Sequence, residues 1–287
     1  MYSCFSLWHG SIYQAMSKLL TLTLVIPVYN EEDHLKDCLD AIAKQSQKPM
    51  EVIVVDNNST DGSMSIAKQY PFVRILKEKQ QGIAHARDKG FNAVKSDIIA
   101  RIDGDTILPK NWIKRVLNFY KNPEHQNQAL TGGGYFYNLR MPKLNGWILS
   151  QFSYRVNRFI VGFYILWGSN MAMPVDLWKA VRSNVCHQRT IHEDLDLAIH
   201  LHRRGYQVVY NANMRVGVYM KRVWENRDQL NEHLGRWPQT LKSHGYKLWW
   251  LSLWGNFGLK YIVQPYGYIV EMLSRFVGRP SLPHKRK

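Results

Sequence analysis

The sequence predicts an α/β fold built on a mostly parallel, doubly wound sheet flanked by helices. Short β-branched runs alternate with segments whose apolar residues recur at helical spacing, and successive runs close on an acid or a polar turn. The composition is that of a globular chain, 45% hydrophobic and 21% charged over 287 residues, enough for one large domain or two small ones.

Leu22 to Val28 is an apolar, β-branched run closed by Pro27. After Tyr29 come Asn30, Glu31, Glu32 and Asp33, a capping residue and acids that suit a helix N-terminus. The helix that follows keeps Leu35, Cys38, Leu39 and Ile42 on one face, which makes Cys38 a core residue. Val52 to Val55 is a second strand, ending in Asp56 before the turn-rich Asn57-Asn58-Ser59-Thr60-Asp61-Gly62. Phe72 to Leu76 supplies a third strand, Gly82 to Val94 a helix, and Ile98 to Ile102 a fourth strand that runs into Asp103-Gly104-Asp105.

Pro109 opens another helix, with Ile113, Val116, Leu117 and Tyr120 as its apolar stripe. Ala129 to Tyr137 is a strand in which Gly132-Gly133-Gly134 marks a bulge or a close backbone approach. Leu144 to Trp167 is apolar and aromatic with scattered Arg, either a helix lining a cleft or one leaning on a membrane surface. His192-Glu193-Asp194-Leu195-Asp196 opens a helix that runs to Arg203-Arg204 and stops at Gly205. Acids in its first turn and arginines in its last complement the helix dipole, an explanation that needs no chemistry.

Parallel strands of an open α/β sheet present their carboxyl ends along one edge. Pro27 to Glu31, Asp56 and Asp103 to Asp105 are therefore expected to converge on one crevice. Two acids separated by a glycine suit either a solvated Asp-Gly surface turn or a hard cation and the polyphosphate it carries; acids at three strand ends favour the second. The balance of 38 Lys and Arg against 22 Asp and Glu, a net +16, favours anionic partners: nucleotides, acidic lipid or nucleic acid. Three dispersed cysteines without a C-x-x-C pair support neither a disulfide framework nor a zinc site, and fit a reducing, cytoplasmic setting. Met1 to Leu20 lacks the features of a secretory signal, and no stretch reaches the ~18 to 20 uninterrupted apolar residues of a membrane span.

Taken together these pieces resemble a family 2 glycosyltransferase with the GT-A fold. The resemblance rests on Val25 to Glu32, Val54 to Ser63, Gly82-Ile83-Ala84 with Ala86-Arg87, Asp103-Gly104-Asp105, Gly168-Ser169-Asn170-Met171-Ala172 and His192-Glu193-Asp194, in the family's order from Leu22 to Val218. It implies that Pro27, Tyr29 and Glu31 line a nucleotide site, that Asp56 hydrogen-bonds the base, and that Arg87 helps to hold the nucleotide half. Asp103, beside Gly104, would reach ribose and metal, and Asp105 would bind Mg2+ or Mn2+ bridging the diphosphate. Asp194 would be the general base of an inverting transfer from a nucleotide-sugar donor to a glycan or lipid-linked acceptor, with Glu193 on the acceptor side.

Departures from the family pattern are informative. Val181-Arg182-Ser183-Asn184 stands where many relatives carry a glycine-rich loop. Arg236-Trp237 is similar to the acceptor-side Arg-Trp of processive relatives, but His233 replaces their Gln, which implies a single-transfer enzyme. Arg215, Lys221 and Arg222 form either a diphosphate clamp or a solvated basic strand end.

The expected organisation is an N-terminal extension at 1–20, a GT-A domain at 21–240 and a basic, aromatic extension at 241–287. The domain divides into a nucleotide-binding half at 21–106 and an acceptor half at 107–240. Rings and cations interleave over 242–280, the composition of a peripheral segment on the inner face of a membrane; a helix packed on the domain or an oligomer contact would share it. Two other readings compete. A sugar-phosphate nucleotidyltransferase would share the acidic strand ends, but its glycine-rich phosphate loop is missing here. A basic nucleic-acid-binding protein would use the +16 charge, yet those same acids would repel phosphate, so no nucleic-acid partner is expected.

Overall fold

In the computed structural model the residues described are 19–138, 146, 154–219 and 227–253. The elements run β1 (Leu22–Val28), α1 (Leu35–Ala43), β2 (Glu51–Asp56), α2 (Ser63–Ala67), β3 (Val73–Lys77), α3 (Ile83–Asn92), β4 (Ile98–Arg101) and α4 (Trp112–Tyr120). There follow β5 (Gln128–Phe136), β6 (Met171–Pro174), α5 (Val175–Val181), α6 (Glu193–Arg203), β7 (Gln207–Val218) and α7 (Arg227–Ser243). The strands form one sheet in the order β3-β2-β1-β4-β6-β5-β7. Its pairings are parallel except where β6 lies between β4 and β5, antiparallel to both.

Strand pleating divides the core between two faces. Leu24, Ile26, Val52 and Val54 pack with the α1 stripe of Leu35, Cys38, Leu39 and Ile42 and with Trp112, Ile113 and Val116 of α4. Val25, Ile53 and Val55 point the other way, against Phe91 of α3, Trp178 of α5 and Leu195 and Ile199 of α6. Each large side chain so buried stabilises by about 1.5–3 kcal/mol relative to exposure, which is why both stripes are completely dry.

The expected bulge is present: the β5–β7 register shifts between Gly132 and Gly134. A Cβ on Gly132 would overlap the Met214 carbonyl, so the close approach requires glycine. At the other end of the sheet's helical layer, α6 closes at Gly205, whose φ of +84° is a left-handed helix stop.

The helical stretch at 154–161 buries Tyr154, Ile160 and Val161 in the core, so the described part of the Leu144–Trp167 region belongs to the fold. Beyond residue 240, Leu241 is fully buried, and Trp249 packs on the core with the Lys242 ammonium 5.5 Å from its ring centroid. Trp250 and Leu253 are exposed. Among the described residues no helix is long and apolar enough to cross a membrane.

Candidate active site

The carboxyl ends of β1, β2 and β4 meet as the topology requires, and their loops are stitched together by side chains. Asn30 and Asn58 both adopt left-handed backbone, φ 53° and 64°. The Asn30 side-chain oxygen accepts the Thr60 N–H at 2.8 Å, and the Glu32 carboxylate accepts the Gly62 N–H at 2.7 Å. Asn57 donates to the Glu78 and Gln80 carbonyls and accepts the Gly82 N–H at 2.7 Å, which fixes the approach to α3. Around this frame Pro27 is buried, Tyr29 is 52% exposed, and Asp56 is buried with one oxygen accepting the Ser59 N–H at 2.8 Å.

At the β4 end, a Cβ on Gly104 would stand 3.1 Å from Cγ of Glu31, so the β1 and β4 acids lie side by side. Their joint field reaches the Cys38 thiol below them: burial pushes its pKa up, and Asp105, Asp103 and Glu31 push it further. Asp103 and Asp105 are half-buried, and the Tyr137 hydroxyl contacts the Asp105 carbonyl at 3.4 Å. Glu31, Asp103 and Asp105 offer oxygen donors alone, the chemistry suited to a hard divalent cation such as Mg2+ or Mn2+.

The element that ties these acids to α6 is Arg101, 1% exposed at the end of β4. Its guanidinium donates to Asp194 Oδ1 at 2.6 Å and to Asp103 Oδ1 at 3.0 Å, and lies 3.4 Å from Glu193 Oε1. The remaining oxygens are also used. Asp194 Oδ2 accepts the Gly168 N–H at 2.7 Å, and Asp103 Oδ2 accepts the Ser169 hydroxyl at 2.5 Å. Gly168 packs so closely that a Cβ would sit 2.6 Å from the guanidinium carbon.

These surroundings separate the two neighbouring carboxyls of α6. Burial raises Asp194 above the ordinary carboxylate range, against the pull of Arg101, with Glu193 adding like-charge repulsion. Burial also acts to raise Glu193, but His192, Arg101 and Arg87 outweigh it and hold that carboxyl at about 2. Neighbouring carboxyls whose pKa values are pushed apart are a feature common at functional sites.

Other expected site residues take supporting positions. Arg87 is fully buried beneath the crevice, donating to the Glu193 carbonyl at 2.9 Å and to Asp88 at 2.8 Å. Trp237 donates its ring N–H to Asn157 at 2.8 Å and meets His192 edge to face at 4.6 Å. Arg236 pairs with Glu232 at 2.9 Å, one turn earlier on α7. Arg215 is exposed, while Lys221 and Arg222 lie outside the described residues.

Sequence reasoning did not single out Arg101, Gly168 or Ser169 as working parts of the site. The signal for Arg101 was available, since one charge inside an otherwise apolar strand must find a buried partner. Asn170 was likewise only a motif letter. It donates to the Gly133 and Met214 carbonyls at 2.9 and 2.8 Å and accepts the Trp112 ring N–H at 2.9 Å, joining β5, β7 and α4.

An open α/β sheet with acids at successive strand ends and a buried carboxylate opposite them has the GT-A glycosyltransferase fold. Solved structures share it: the mannosyltransferase PcManGT from Pyrobaculum calidifontis in complex with GDP-Man and Mn2+ superposes with a TM-score of 0.57, at 17% identity, over 91% of this chain and 76% of that one. TarS 1–349 of S. aureus in complex with UDP-GlcNAc gives 0.54, at 15% identity, over 78% and 66%.

Residues 23–180, more than half of the chain, match the family described as Glycosyl transferase family 2, and the chain belongs to that family. It is 32% identical over 121 residues to glycosyltransferase GlyA of Streptococcus pneumoniae, covering 41% of this chain and 17% of the relative. Against glycosyltransferase AglE of Haloferax volcanii it is 35% identical over 106 residues, covering 34% and 35%. The matches thus span only a minor part of these curated relatives.

Proposed function

We propose that the chain is an inverting glycosyltransferase that moves a sugar from a UDP- or GDP-linked donor to an acceptor hydroxyl in cell-envelope polysaccharide or glycolipid synthesis. One observation carries the reading: a single buried guanidinium, Arg101, is shared between Asp103 at the strand edge and Asp194 on α6. In this reading a leaving-group corner and a base would stand on two sides of one fixed charge. Relatives point the same way: solved GT-A neighbours hold GDP-Man and UDP-GlcNAc, and the minor teichoic acid biosynthesis protein GgaA of Bacillus subtilis is 29% identical over 158 residues.

In this reading Pro27, Tyr29 and Glu31 line the nucleotide, Asp56 accepts from its base, and Asp103 with Gly104 receives the ribose. Mg2+ or Mn2+ held by Asp105 and Asp103 would neutralise negative charge on the departing diphosphate, with Lys221 and Arg222 as its cationic clamp. Glu193, Arg236 and Trp237 shape the acceptor side. The acceptor oxygen bonds to the anomeric carbon as the bond to the diphosphate oxygen breaks on the opposite face, and the hydroxyl proton passes to Asp194. Arg87 and Arg101 keep that carboxylate and its helix in place. The segment 242–280 contacts the inner, cytoplasmic face of the membrane, where a lipid-linked acceptor would lie.

The test is transfer from a panel of UDP- and GDP-sugars with Mn2+ or Mg2+. Asp194→Asn should lower kcat by about 10²–10⁴-fold while nucleotide affinity stays near that of the wild type. Asp105→Ala should abolish the metal dependence of nucleotide binding. Undiminished turnover in either variant, or a product that retains the donor's anomeric configuration, would overturn the proposal.

A further inference from the structure

We propose that Asp196, His200 and His244 form a zinc site, distinct from the crevice acids and independent of the transfer reaction. Asp196 and His200 are one turn apart on α6 and so share a face. His244 arrives from the turn that follows α7. Nε2 of His244 lies 2.8 Å from Asp196 Oδ1, and Nε2 of His200 lies 3.5 Å from the same oxygen. The two rings meet edge to face at 5.2 Å, and all three donor atoms fall within 4.8 Å of one another.

Zinc bonds of ~2.0–2.2 Å in a tetrahedron place donors about 3.4 Å apart, so the ion needs only small outward shifts of side chains already aimed at a common point. The carboxylate is pre-oriented because its other oxygen accepts the Cys186 N–H at 2.8 Å. Arg203 donates to the His244 carbonyl at 2.9 Å, which anchors the turn carrying the third ligand. Asp196 is fully buried and the imidazoles are 16% and 11% exposed, which leaves an approach for the ion and a water as fourth ligand. Two imidazoles and a carboxylate select zinc over Mg2+ or Mn2+, whereas the crevice offers oxygen alone. The ion would clamp the middle of α6, just past Glu193 and Asp194, to the end of α7.

The full-length protein is stripped with a chelator, exposed to zinc in excess Mg2+, passed through gel filtration and assayed for metal. Wild type should retain one zinc per chain, and cobalt in its place should give the visible bands of a tetrahedral ion. Zinc at about a hundred times its Kd should raise Tm by about 5–10 °C. His200→Arg leaves Asp196 a hydrogen-bond donor while removing a ligand, and His244→Gln likewise keeps a donor. Both should lose the zinc and the Tm shift. Wild type that retains no zinc, or either variant retaining as much as wild type, would overturn the site.

Discussion

Replacing Arg101 by methionine removes a buried guanidinium but leaves Asp194, Glu193 and Asp103 around the vacated volume. Buried carboxylates stripped of their counter-charge cost about 3–5 kcal/mol, so Arg101→Met should lower the denaturation midpoint in urea by a corresponding amount. Glu193 carries its own pH signature. Its folded pKa of about 2 lies below the ordinary 4.5, so its contribution to stability is full above pH 4.5 and is lost as pH falls towards 2. Urea titrations across that window should show a slope that Glu193→Gln flattens. Asp194 is shifted the other way, upwards, and as the proposed base it must be ionised to accept a proton. The acidic limb of kcat/KM should therefore lie above the range of an ordinary aspartate, checked by a pH–rate profile. The acids were legible in the sequence because each closes a strand or opens a helix. Their coupling was not, since Arg101 and Asp194 meet across 93 positions and no local pattern records that contact.

Elements were readable in proportion to their periodicity. Strands β1, β2 and β4 are mostly apolar runs, and α1 and α4 carry complete stripes, so their type and buried faces follow from spacing. The four residues of β6 show no period, and their antiparallel insertion between β4 and β5 is decided by tertiary pairing. Strand β7 alternates imperfectly because part of it is solvent-facing and the bulge interrupts its register. Asn170 illustrates how such elements are held. Asn170→Ala would leave two carbonyls and the Trp112 ring N–H unsatisfied in the core, a cost of about 3 kcal/mol that denaturant unfolding would register.

For the whole molecule the net charge of +16 makes anionic surfaces its natural neighbours. Trp250 and Leu253, exposed beside the packed Trp249, continue towards residues outside those described. Sedimentation with vesicles rich in acidic lipid should pull the protein down at low salt and release it as ionic strength rises, while neutral vesicles should bind little; equal binding to both would argue against the membrane contact. The sheet order also dictates a sequence of assembly. Strands β1 to β4 come from one continuous stretch, residues 22–101, and can associate as the chain is made. Until β6 arrives, β4 is an open edge, and of the three carboxylates around Arg101 only Asp103 is present; Glu193 and Asp194 come later. A charged residue at the end of an open edge strand is one of the devices that discourage wrong edge-to-edge pairing, and here it sits on a strand whose neighbour is made only later.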